Sequence, residues 1–302
     1  QFTVTCRGLV NAAGPWVKTF YDESLHEKSP RGIRLIKGSH MIVPRIHERE
    51  EAYILQNEDN RIVFVIPYQQ DYSLIGTTDV EHHGSPREAK ISEAEINYLC
   101  KVVNAHFTRQ IAPKDVIWTY AGVRPLCDDE SDSPQAVTRD YTLELSGESD
   151  GAPLLSVFGG KLTTYRKLAQ AACNKLKPWF SQMGDDWTAT SRLPGGEFDC
   201  SVRELARAFA LEFDWLDDRS ALRIAEAYGA HARLWLKEDR GIHFGGGLYE
   251  SEVRYLIERE WACSLDDILW RRSKLGLRLN DSEQQMLQIW LDQYHQALRK
   301  AS

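Results

Sequence analysis

With 302 residues the chain has room for two domains, and its 42% hydrophobic and 27% charged content is that of a globular protein with a buried core. A formal net charge of −7 argues against general nucleic-acid binding, whose footprint is a basic surface. No run of about 18 uncharged apolar residues occurs, so no segment reads as a membrane-spanning helix.

Phe2–Cys6 and Gly8–Asn11 both read as strands of a sheet whose other strands lie outside the sequence. Ile33–Val43, Ala52–Gln56, Ile62–Tyr68 and Tyr72–Gly76 are rich in β-branched and aromatic residues and bounded by turn formers, so they read as strands, with Asn57–Asn60 as a hairpin loop. Ser92 and Glu95 form a capping-box pattern that starts a helix with Ile96, Leu99, Val103 and Phe107 on its core side. Strands follow near Val116–Val123, Tyr141–Leu145 and Leu154–Phe158, then a helix over Lys161–Trp179. Asp128–Ser133 is an acidic run that reads as a solvated loop.

Residues 181–200 form a linker holding Met183–Asp186 and Leu193–Gly196. Beyond it the apolar period becomes 3.6, through Val202, Leu205, Phe209 and Phe213, then Leu222, Ala225 and Tyr228, then Val253, Leu256 and Ile257. A last helix, Ser282–Arg299, starts at a Ser cap and carries Met286, Ile289, Trp290 and Tyr294. Four to six helices here, with Trp235, Trp261, Trp270 and Trp290 as core, make a helical domain over 191–302. The fold class is α+β, with residues 1–190 as a sheet-rich binding domain. Six cysteines, Cys6, Cys100, Cys127, Cys173, Cys200 and Cys263, show no CxxC pair, which suggests reduced, mostly buried thiols in a cytoplasmic setting.

The most informative segment is Val157–Lys167, an apolar strand that runs through Gly159 and Gly160 into a helix. Glycines there let a bulky ligand approach the backbone. The helix start presents unpaired N–H groups and partial positive charge, suited to a phosphate or an anionic flavin edge, and Lys161 adds a full charge. His82-His83 lacks partners at metal-ligand spacing and reads as a polar turn, so no metal site is expected. Gly38-Ser39-His40 lacks the G-x-S-x-G elbow of serine hydrolases.

Asn11-Ala12-Ala13-Gly14-Pro15-Trp16, Ile36–His40, Ile75–Asp79, Tyr120–Leu126 and Phe158–Arg166 stand in this order along the chain. Together they resemble the aerobic, FAD-dependent glycerol-3-phosphate dehydrogenases of bacteria, over almost the whole chain. That family opens with a strand, a G-x-G-x-x-G turn and a helix. No such pattern occurs here, since Gly195-Gly196 and Gly245-Gly246-Gly247 follow no expected strand and lack the spacing. The chain is therefore expected to be the C-terminal portion of a longer polypeptide, weak in FAD binding and inactive by itself. Residues 1–190 would then be part of the FAD- and substrate-binding domain, and 191–302 a helical cap.

The resemblance implies oxidation of sn-glycerol 3-phosphate to dihydroxyacetone phosphate, with electrons passed to quinone, by a peripheral protein on the inner membrane face. It gives cofactor contacts to Gly14, Gly159, Gly160, Lys161, Leu162 and Thr163; Ala13 stands where the family usually has Thr, which removes one hydroxyl. Alcohol oxidation needs a base near the hydroxyl and cations for the phosphate. His40 is the candidate base. Arg124, Arg139 and Lys161 are the phosphate candidates, Arg124 also counting as catalytic. Against this stands the plainer reading in which either Arg pairs with Asp128, Asp129 or Asp140 on the surface. An FAD-dependent amine oxidase, in which Arg124 anchors a carboxylate, is the competing enzyme reading; a docking role for the helical domain, or a homodimer, is open from the sequence.

Overall fold

The computed structural model describes residues 2–128, 140–147 and 151–301. Arg139 and all of the acidic run except Asp128 lie outside the described residues. The chain divides into two compact units, Gln1–Thr190 and Ser191–Ser302.

In the first unit, β1 (Leu9–Asn11) leads into a tight turn over Gly14–Trp16, then α1 (Val17–Phe20). Next come β2 (Ile33–Pro44), β3 (Tyr53–Gln56), β4 (Ile62–Tyr68), β5 (Tyr72–Gly76) and β6 (Val80–Glu81). Then follow α2 (Glu93–His106), β7 (Trp118–Cys127), β8 (Tyr141–Ser146), β9 (Leu154–Gly159) and α3 (Tyr165–Leu176). The long strand β2 organises a six-stranded antiparallel sheet. One edge of β2 pairs with β7 from Ile33 to Ile42; the other pairs with β5 from His40 to Pro44 and with β6 at Ile36 and Lys37. β4 and β3 continue the sheet beyond β5.

Side chains alternate across β2, so its odd and even positions serve different purposes. Met41 and Val43, with Leu55, Val63, Val65 and Ile75, are buried against Leu99, Cys100, Val102 and Val103 of α2. The expected capping box is present, with Ser92 Oγ accepting from the Glu95 amide and Glu95 accepting from the Ser92 amide. Two such reciprocal bonds satisfy donors that would otherwise be orphaned at the helix start. A second, three-stranded sheet has the order β1-β9-β8, with β1 and β9 parallel and β8 antiparallel to β9.

Some expectations need correction. Phe2–Cys6 forms no ladder among the described residues, and Phe2 and Val4 are exposed. The helix read over Lys161–Trp179 is α-helical only from Tyr165 to Leu176, with 3-10 turns at Leu162–Thr164 and Lys177–Trp179. Only Cys100 and Cys127 are buried; Cys6, Cys173, Cys200 and Cys263 are exposed.

The second unit holds α4 (Val202–Glu212), α5 (Asp218–Tyr228), α6 (Arg233–Leu236), a hairpin of β10 (His243–Gly245) and β11 (Leu248–Tyr249), α7 (Glu250–Glu260) and α8 (Asp281–Ala301). Phe209, Trp235, Phe244, Leu248, Leu256 and Leu287 pack its core. Gly245, Gly246 and Gly247 all take positive φ and turn the chain between two strands too short to show a period-two pattern. Asn280, rather than Ser282, caps α8: its side chain accepts from the Glu283 amide at 3.1 Å, and Glu283 accepts from its amide at 2.8 Å. The buried stripe of α8 is Leu287 and Leu291, leaving Met286 and Ile289 exposed. Trp261 is not core either; it ends α7 in the left-handed conformation and is 82% exposed.

Candidate active site

The even positions of β2 face away from α2 and build a second, half-open surface. His40 lies opposite both Gly76 of β5 and Tyr120 of β7; Ile36 lies opposite Arg124. The His40 ring stacks on Tyr120, with centroids 4.9 Å apart and planes 8° from parallel. It also lies directly over Gly76, where a Cβ would stand 2.4 Å from His40 Cδ2. Burial, reinforced by the Arg124 charge, lowers the His40 pKa to about 4, so the imidazole is neutral at pH 7. Its Nδ1 is buried and has no hydrogen-bond partner. A neutral imidazole keeps one unprotonated ring nitrogen, the group that can accept a proton. Burial and the neighbouring Tyr120 push the Tyr68 phenol up to about 12, so it stays a neutral hydroxyl.

Arg124 reaches the same surface. Its Nη1 donates to Asp79 Oδ1 at 2.6 Å and its Nη2 to Thr77 Oγ1 at 3.0 Å. The guanidinium lies across Gly38, where a Cβ would come within 2.5 Å of Nη2. Gly38 is thus the residue type this arrangement requires. For Arg124 the acidic partner is Asp79, from the strap between β5 and β6. Charge-assisted bonds of this length fix the direction of the planar group, and the side chain stays one-third exposed.

The reverse side of that strap holds a buried polar network. Glu95 Oε1 accepts from Thr78 Oγ1 at 2.6 Å and from Ser39 Oγ at 2.9 Å, and Oε2 accepts from Lys37 Nζ at 2.8 Å. Burial alone would raise Glu95; bonds from Lys37, Thr78 and Ser92 outweigh it and bring the pKa to about 2. Reading the sequence for capping boxes finds Glu95 but not these extra partners. Thr77, Asp79 and Tyr120 likewise went unassigned, although all three sit inside segments the sequence singles out.

The glycine turns lie elsewhere in the unit. Asn11 of β1 pairs with Ser156 of β9, so Gly14 lies just past, and Gly159 at, the C-terminal ends of adjacent parallel strands. That is where α/β sheets bind nucleotides. Gly14, Gly159 and Gly160 take φ of 55°, 71° and 100°, a region glycine adopts without strain. A Cβ on Gly159 would stand 2.9 Å from the Asp140 carbonyl and 3.7 Å from that of Pro125, so this turn abuts the strand that carries Arg124. Lys161 and Thr163 are exposed, and Leu162 is 90% exposed, an apolar side chain laid bare at a helix start. Neither the 3-10 turn after Lys161 nor α3 has a side-chain cap, and no acidic residue occupies either first turn. Two turns without Cβ atoms, uncapped amides, a cation and a bare apolar side chain fit a flat, phosphorylated cofactor such as FAD. Arg124 and His40 thus share one surface, the Gly159–Thr163 turn abuts its strand, and Arg139 lies outside the described residues. Among those residues no His, Cys, Asp or Glu cluster suits a metal ion.

Residues 1–166 match the family described as FAD dependent oxidoreductase, and residues 187–299 match the C-terminal domain of alpha-glycerophosphate oxidase. The chain belongs to the FAD-dependent oxidoreductase family, with a helical C-terminal domain of that type. It is 52% identical to the aerobic glycerol-3-phosphate dehydrogenase of Escherichia coli (strain K12) across 98% of its own length and 60% of the relative's. To a glycerol-3-phosphate dehydrogenase of Pseudomonas aeruginosa it is 55% identical, covering 97% of itself and 58% of that protein. The solved glycerol-3-phosphate dehydrogenase of Bacillus halodurans, complexed with FAD, superimposes with a TM-score of 0.72 at 25% identity, over 91% of this chain and 54% of that one. The chain thus spans about 60% of the length of the curated relatives it matches.

Proposed function

We propose that the chain supplies the substrate face and one flavin-side turn of a dehydrogenase that oxidises sn-glycerol 3-phosphate to dihydroxyacetone phosphate. The observation that carries this reading is the pairing of a neutral His40 with an oriented Arg124 guanidinium on one half-open sheet face. Gly14, Gly159, Gly160, Lys161, Leu162 and Thr163 hold the cofactor, and FAD, when bound, supplies the two-electron oxidation. Arg124, Arg139 and Lys161 bind the phosphate dianion, which fixes the adjacent secondary alcohol against the His40 ring. His40 takes the hydroxyl proton at a ring nitrogen as the alcohol becomes a ketone; its low pKa leaves it unprotonated at neutral pH, though a weaker base than a free imidazole. Asp79 offsets part of the Arg124 charge, so Arg139 and Lys161 carry much of the attraction for a dianion.

The reading extends to electron transfer to quinone by an enzyme peripheral on the inner membrane face. No helix among the described residues is long and apolar enough to cross a membrane. Activity is assigned to an enzyme of the relatives' full length; the 302-residue chain by itself is expected to bind FAD weakly and to be inactive. Identity to glycerol-3-phosphate dehydrogenases over nearly the whole chain supports this substrate above an amine. The test is a substrate panel on the full-length enzyme, following flavin bleaching under nitrogen and then reoxidation by a short-chain quinone. Glycerol 3-phosphate is expected to bleach the flavin and the quinone to restore it. Bleaching by glycine-type amines, with none by glycerol 3-phosphate, would overturn the assignment.

A further inference from the structure

The strap Thr77–Asp79 has two sides with different duties. Its neighbours β5 and β6 pair with the same edge of β2, but on either side of Gly38 and Ser39, so the strap crosses that edge between them. Toward the open face it presents Thr77 Oγ1 and the Asp79 carboxylate, and both hold Arg124. Toward α2 it presents Thr78, 1% exposed, whose hydroxyl donates to Glu95 and accepts from the Ser39 amide at 3.1 Å. Glu95 is in turn fixed by Lys37, Ser39 and the Ser92 cap, and is 7% exposed. A helix-capping carboxylate therefore holds, through the sheet, the segment that aims the guanidinium on the opposite face.

We propose that Thr78 and Glu95 are positioning residues for substrate-anion binding, acting through the Thr77–Asp79 strap on the direction of Arg124. This rests on the anion-binding role proposed for Arg124. A strap released from Glu95 lets the Asp79 and Thr77 acceptors drift, and a guanidinium fork misplaced by a fraction of an ångström loses its match to an anion. The effect falls on anion capture rather than on proton transfer, because His40 takes its place from Gly76 and Tyr120 instead of from the strap's inner side.

The experiment uses Thr78→Val and Thr78→Ser in the full-length enzyme loaded with FAD. Thr78→Val keeps the shape and removes the hydroxyl; Thr78→Ser keeps the hydroxyl. For Thr78→Val the expected result is a KM for the anionic substrate raised about tenfold with kcat within about threefold, and for Thr78→Ser a KM within about twofold of wild type. In an Arg124→Lys background, Thr78→Val is expected to add less than about twofold, since its partner in the coupling is already changed. An unchanged KM in Thr78→Val, an equal loss in Thr78→Ser, or a full tenfold loss on top of Arg124→Lys would each overturn the proposal. Should Thr78→Val not fold, Glu95→Asp, which withdraws the carboxylate by one methylene, is read in the same way. The coupling is measured on whichever substrate the wild-type enzyme oxidises, so failure of glycerol 3-phosphate as substrate is recorded separately.

Discussion

Two arginine–carboxylate pairs, one in each unit, share a 2.6 Å contact and little else. In the helical unit Arg223 and Glu252 are 9% and 1% exposed, and Glu252 also accepts from Tyr228 at 2.6 Å. Arg223 spends its second terminal nitrogen on Glu252 and the Gly247 carbonyl. In the sheet unit Arg124 is 33% exposed and is held by two bonds, to Asp79 and Thr77. The first pair is closed and holds α5, α7 and the hairpin together; the second is an oriented charge left part-exposed. Pairing alone does not mark function. What distinguishes the two is whether the cation is sealed from water or left one-third exposed.

The largest expected effect breaks the closed pair. Glu252→Ala leaves a buried guanidinium without its counter-charge and is expected to cost about 3–5 kcal/mol in urea unfolding. Next comes the open pair's platform: Gly38→Ala places a Cβ 2.5 Å from Arg124 Nη2, which must move. A fall in kcat/KM of about 10²-fold is expected in steady-state assays of the full-length enzyme, with FAD content unchanged.

A third test uses pH. His40 is held at about 4 against an ordinary 6.5, so on acidification the unfolded chain takes up the proton before the folded one does. Stability from this residue is therefore steady above pH 6.5 and is lost between pH 6.5 and 4, by about 2–3 kcal/mol. Glu95 adds a separate loss at lower pH, as the solution passes from its ordinary 4.5 to about 2. Urea midpoints across this range, compared with His40→Gln, are expected to lose the upper part of the slope and keep the lower. The smallest effect is Asp79→Ala on stability, about 1 kcal/mol or less by thermal unfolding, because the Arg124 left behind is one-third exposed and stays hydrated.

The sequence makes the strands legible where β-branched residues run between clear turns. Ile62–Tyr68 and Tyr72–Gly76 have the bounds their pattern suggests, and Ser92 with Glu95 announces α2. It is less informative where a residue's role depends on distant partners. Asp79 reaches Arg124 across 45 positions and Glu95 reaches Ser39 across 56, contacts that no local period encodes. In the helical unit a 3.6 period gives the helices but not the rotation of α8, whose apolar residues occupy more than one stripe; burial of Leu287 and Leu291 decides it. Very short strands such as β10 and β11 leave too few residues for alternation to appear.

The most direct measurement is the KM for glycerol 3-phosphate of Arg124→Ala in the full-length, FAD-loaded enzyme, beside its thermal stability. The account predicts a rise of about 10²-fold or more at nearly unchanged melting temperature, as for a cation whose free face serves a ligand. An unchanged KM, or a variant that fails by unfolding as Glu252→Ala does, would place Arg124 with the closed pair and contradict the account.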